Sequence, residues 1–142
     1  MTRFNQLKIM LRKHEGVRSH VYKCSAGYET IGVGRNISES GIGLTDGEID
    51  QMLMNDIFRV IGELSDEYEW FNNLDDVRRD AMIDISFNLG QTVLRKFTNA
   101  LKAMEQKDYH LAADEFMKSR WASQVGKRAE ELTKMIRFGK YQ

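Results

Sequence analysis

From Thr45 onward the apolar residues recur only at helical spacing, so any sheet in this 142-residue chain must be built from residues 14–44. Within that window VRSHVYKC and YETIGVG read as two strands joined through Ser25-Ala26-Gly27, and a short third strand is expected around Gly41 to Leu44. Before it, Phe4, Leu7, Met10 and Leu11 mark an amphipathic helix with Thr2 as a possible N-cap, ending near His14 to Gly16. After it, Thr45-Asp46-Gly47-Glu48 has the spacing of a capping box. A helix of about 20 residues follows, carrying Ile49, Leu53, Ile57, Val60 and Leu64. LDDVRRDAMIDISFNL repeats Leu74, Val77, Ala81, Ile85 and Leu89 before Gly90, a suitable C′ residue. Shorter helices are expected over 97–105, 108–117 and 126–138. The fold class is α+β, mainly α.

The domain reading is a single unit over 1–142, with a small β-containing lobe at about 14–50 and a helical lobe from about 1–13 and 65–142. A ligand is expected in a cleft between the lobes. With 42% hydrophobic and 30% charged residues, the composition is that of an ordinary globular protein. No apolar run approaches the ~18 residues of a membrane span, and the N-terminal helix is too charged for a secretory signal. Net charge is zero but uneven: seven basic against three acidic residues over 1–40, three against twelve over 41–90, and eleven against six over 91–142. The acidic middle argues against a nucleic-acid binder. Solvated helix faces account for most of the pattern.

The one cysteine, Cys24, falls where the hairpin turns, with eight residues between it and Glu15 and five between it and Thr30. A hairpin folded as read brings Cys24 and Thr30 together near the end of the first helix. A carboxyl there feels the negative end of the helix dipole, which favours the protonated form a general acid requires. Spacing alone also permits a blander reading, of a helix-end glutamate, a filler cysteine and a strand threonine.

HEGVRSHVYKCSAGYETIGVG is similar to the active-site signature of the phage-type lysozymes. The similarity extends through LDDVRRDAMIDISFNLG, FTNALKAMEQKDY, LAADEFMKSRW and QVGKRAEE, in order and almost in register. Between Arg35 and Thr45 this chain is shorter than is usual in the family. The resemblance implies a lysozyme-like two-lobe fold, no cofactor and no metal, and hydrolysis of the β-1,4 bond between N-acetylmuramic acid and N-acetylglucosamine in peptidoglycan. It implies Glu15 as the acid protonating the leaving oxygen and Thr30 as a holder of the attacking water. The second catalytic position, commonly aspartate, is Cys24. Arg128 matches an arginine that orients the catalytic glutamate, and Arg35 is a second positive group able to favour a thiolate. Asn36 and Phe87 fall at sugar contacts. Two further contact positions, which carry polar side chains in the family, hold Ala100 and Glu115 here.

Glycoside hydrolysis normally uses two carboxyl groups. A thiol of ordinary pKa, near ~8.5, is only a few per cent ionised at neutral pH. Cys24 can act as base to a water or attack the anomeric carbon; single displacement by water is the preferred reading. The implied setting is a phage endolysin, a monomer acting on glycan strands without stable membrane association. It would be made in the host cytoplasm and reach the wall through a phage-encoded membrane pore. The alternatives are a lytic transglycosylase and a wall-binding module with a weakened site. TIGVGR opens no glycine-rich helix, and His14, His20 and His110 are too scattered for a metal. His20 lies four strand residues from Cys24, about 13 Å, too far to activate it. The eight methionines, Trp70 and Trp121 read as packing.

Overall fold

A computed structural model describes residues 3–142; the Thr2 cap lies outside the described residues. The chain forms two compact units, Met1–Gln51 and Met52–Gln142. In the first, helix α1 (Asn5–Glu15) precedes an antiparallel sheet of β1 (Arg18–Lys23), β2 (Glu29–Gly32) and β3 (Arg35–Asn36), in the order β1-β2-β3. Tyr22 pairs with Thr30 across β1–β2, and Thr30 with Asn36 across β2–β3. The third strand therefore lies at Arg35–Asn36, and not at the expected 41–44. Gly32 (φ 69°) and Gly34 (φ 71°) reverse the chain through Gly32-Val33-Gly34, which brings Arg35 back onto Ile31.

The capping box forms. Thr45 N–H donates to Glu48 Oε1 at 2.8 Å, and Glu48 N–H donates to Thr45 Oγ1 at 3.1 Å, opening α2 (Asp46–Glu67). The same Glu48 oxygen accepts from Arg35 Nη1 at 2.7 Å, so one carboxylate serves both the helix start and the sheet's last strand. The Arg35 guanidinium, and then the Thr45 N–H, hold the Glu48 carboxyl down at about 2. A depressed carboxyl contributes stability above its unfolded pKa, ~4.3, and loses it as pH falls towards the folded value. Thermal melts followed by circular dichroism should therefore lose stability between about pH 5 and 2. Glu48→Gln should flatten part of that slope, and only a small part, because solvent screens the exposed pair. An unchanged slope in Glu48→Gln would show that other carboxylates carry it.

The second unit holds nearly all the buried residues. A 3-10 helix (Glu69–Asn73) leads into α3 (Asp76–Leu89), α4 (Gln91–Leu94), α5 (Thr98–Glu105), α6 (Tyr109–Met117), α7 (Arg120–Val125) and α8 (Lys127–Phe138). Helix α3 starts under an Asp75 cap and stops at Gly90, whose φ of 82° no ordinary residue takes easily. Helix α8 packs on α3, α6 and α7, and α5 on α6. Leu64, Phe71, Met82, Ile85, Leu94, Met104, Phe116 and Ile136 are wholly enclosed. Among the described residues of the first unit only Thr30 is buried.

Candidate active site

Helix α1 ends at Glu15 because Gly16, at φ 79°, turns the backbone out of the helix while its N–H still donates to Arg12 O at 2.9 Å. The Glu15 side chain is exposed and lies against the β2–β3 turn. A Cβ built on Gly34 would stand 2.7 Å from Glu15 Oε2, at the tip of a side chain free to move aside, so it is the φ of 71° at Gly34 that favours glycine there. Gly34 is thus a neighbour of the candidate acid. The sequence held it only as the last glycine of TIGVG, with nothing to say what it faced.

The β1–β2 loop is built around Cys24. Its N–H donates to Tyr28 O at 2.9 Å, its carbonyl accepts from Gly27 N–H at 2.8 Å, and Gly27 (φ 86°) closes the turn. The half-buried thiol is held below the usual thiol value. The backbone N–H of Tyr28 contributes most and that of Ala26 next; burial opposes them, and the Thr30 side chain and the Gly27 N–H add smaller effects. Thr30, 3% exposed, donates its hydroxyl to Tyr28 O at 2.9 Å. Cys24 and Thr30 are therefore brought together, on a loop whose N–H groups favour negative charge at the sulfur.

Arg35 is engaged elsewhere, with Glu48 at 2.7 Å and Gly43 O at 2.9 Å. Asn36 spends its carbonyl oxygen on Ser38, accepting from the backbone N–H at 3.0 Å and from the hydroxyl at 2.6 Å. In the helical unit Arg128 donates through Nε at 2.9 Å and Nη2 at 2.6 Å to Asp84 Oδ1, a partner 44 residues away that no sequence signal pointed to. Phe87 and Arg128 share a groove of about 430 Å³ with Leu53, Ile57, Ile83 and Asp84. Ala100 and Glu115 line a second cavity, of about 450 Å³, beside Trp121, whose indole N–H donates to Asn88 Oδ1 at 2.7 Å. Glu115 is paired there with Lys118 at 3.1 Å. Among the described residues no group of three or more His, Cys, Asp or Glu is placed to hold a metal ion, and no helix is long and apolar enough to cross a membrane.

A small β-hairpin lobe, a long helix and a helical lobe, with a carboxylate closing the first helix, make this a lysozyme-like protein. Residues 12–137 match the phage lysozyme model, and the chain belongs to that family. Among its relatives is a probable T4-type lysozyme 2 of Dictyostelium discoideum, 26% identical over 162 aligned positions covering 95% of each chain. Another is an endolysin of Acyrthosiphon pisum secondary endosymbiont phage 1, 31% identical over 122 positions, covering 84% of this chain and 81% of the relative.

Proposed function

We propose that this protein is an endolysin that hydrolyses the β-1,4 bond between N-acetylmuramic acid and N-acetylglucosamine in peptidoglycan, with Cys24 in the place of the usual second carboxylate. The observation that carries the reading is the Cys24 thiol set among the Tyr28, Ala26 and Gly27 N–H groups beside buried Thr30. Membership of the phage lysozyme family supports the substrate.

In this mechanism Glu15 gives its proton to the glycosidic oxygen as the bond to the anomeric carbon breaks. Cys24, as thiolate, takes a proton from a water that attacks from the opposite face, and Thr30 holds that water through its hydroxyl. Donation from the loop N–H groups raises the thiolate fraction at neutral pH but also lowers the basicity of the sulfur. Asn36 offers a sugar contact on the N-terminal unit, and on the helical unit Phe87 offers one within the groove it shares with Arg128. Arg35, fixed by Glu48, braces the strand end next to Asn36. The protein works as a monomer on glycan strands after release from the cytoplasm through a separate membrane pore.

Digestion of purified peptidoglycan tests the reaction. Mass spectrometry is expected to find reducing muramic ends, and early proton NMR of a soluble glycan digest an α-anomer, the product of single displacement. Products ending in 1,6-anhydromuramic acid would replace this reading with a transglycosylase. An initial β-anomer would replace it with a thioglycoside intermediate on Cys24.

A further inference from the structure

The helical unit carries an aromatic surface that the mechanism does not use. Tyr68, just before the 3-10 helix, and Trp70 within it sit side by side, ring centroids 5.3 Å apart and planes inclined by 36°. Both pack against the core, and each is only partly buried. With helix α5 they border a cavity of about 470 Å³, within the ~300–1,000 Å³ of small-molecule sites. One wall is fixed: Glu67 accepts from Arg95 Nε at 2.6 Å and from Gln91 Nε2 at 2.7 Å. The lining also takes in one face of α5, where Thr98, Lys102 and Glu105 follow at helical spacing.

These last three side chains are exposed, and among the described residues none of them takes part in an ion pair or a side-chain hydrogen bond. The four charged residues of the cavity cancel, Glu67 and Glu105 against Arg95 and Lys102. A polyanion finds no net attraction in such a site. A neutral ligand with an apolar ring face and many hydroxyl and amide groups fits it, the ring on the aromatics and the polar groups on the free donors and acceptors. Burial, and then the Glu67 charge, push the Tyr68 phenol up, so it keeps its proton and remains a donor at neutral pH. Thr98 also borders the cavity that contains Trp121, so the two depressions share a rim.

We propose that this surface is a second glycan-binding site, which holds an N-acetylated sugar of the wall against Trp70 with its hydroxyl and acetamido groups on Lys102 and Glu105. Its choice of glycan rests on the function proposed above; its geometry does not. Such a site would keep the enzyme on the wall between cleavage events.

Nitrogen-15-labelled full-length Glu15→Gln protein, titrated with tetra-N-acetylchitotetraose, tests it through the indole N–H resonances of Trp70 and Trp121. The Trp70 resonance is expected to shift saturably. Lys102→Ala/Glu105→Ala, two exposed changes that leave the core alone, should weaken that response about tenfold. A stationary Trp70 resonance, an unchanged affinity in the double variant, or a response to a sulfated polysaccharide in place of the chitotetraose would each overturn the proposal. A shifting Trp70 in a protein whose parent lyses no wall would remove the catalytic reading and leave this surface standing. Full lysis with a silent Trp70 would do the reverse.

Discussion

Glu15→Gln is expected to slow lysis of outer-membrane-permeabilised bacteria by about 10²–10⁴-fold while the circular dichroism spectrum stays that of the parent. The amide keeps the shape of the side chain beside Gly34 but has no proton of suitable acidity for the leaving oxygen. Stability should hold, because Glu15 is exposed and the hydrogen bond that ends α1 is made by the Gly16 backbone. Turbidity clearing at the parent's rate by a folded Glu15→Gln protein would remove Glu15 from the mechanism.

The second large effect is expected at Cys24. Its thiol is half-buried and inclined to ionise, so iodoacetamide should alkylate it in the native protein, with loss of lysis, and soluble glycan should slow the reaction. Cys24→Ala should lose about 10²-fold or more, having no base. Cys24→Asp should remain active, because N–H groups that face the sulfur can equally donate to a carboxylate at that loop position. The base must be unprotonated, so activity rises with pH through its pKa. That rise should lie below the ordinary thiol range in the parent, and in Cys24→Asp it should move several units further towards acid, thiol and carboxyl differing by about 4–5 units. Undiminished lysis by Cys24→Ala would make the thiol packing and favour the transglycosylase.

Much of this molecule could be read from its residues, and the failures share a cause. The capping box at Thr45 and the stop at Gly90 were legible because capping is decided within a few residues. Helix α4, of four residues, and α7, of six, were missed because a segment under two turns long shows no periodicity. The third strand was misplaced because its position depends on the φ of Gly32 and Gly34, and apolar pattern is blind to that. At the site, the loop from Cys24 to Thr30 was legible as a hairpin turn. The partners of the arginines were not: Glu48 for Arg35 and Asp84 for Arg128 lie 13 and 44 residues away, and each arginine had several carboxylates to choose from.

The unequal distribution of buried side chains bears on which changes the N-terminal unit can absorb. Its strands and loop are fixed by main-chain pairing and by glycine dihedrals, and Thr30 is the only described side chain there shut away from water. A random substitution on such a scaffold seldom opens a cavity, so most positions should accept new side chains with little penalty. The intolerant ones form a short set: Gly16, Gly27, Gly32, Gly34 and Gly43, whose backbones L side chains rarely adopt, Gly41, where a Cβ would run into the Asn36 carbonyl oxygen, and Thr30 itself. A saturation library over residues 16–44 would therefore be expected to yield many folded variants, so that differences in activity among them would report on the candidate site and not on loss of the fold.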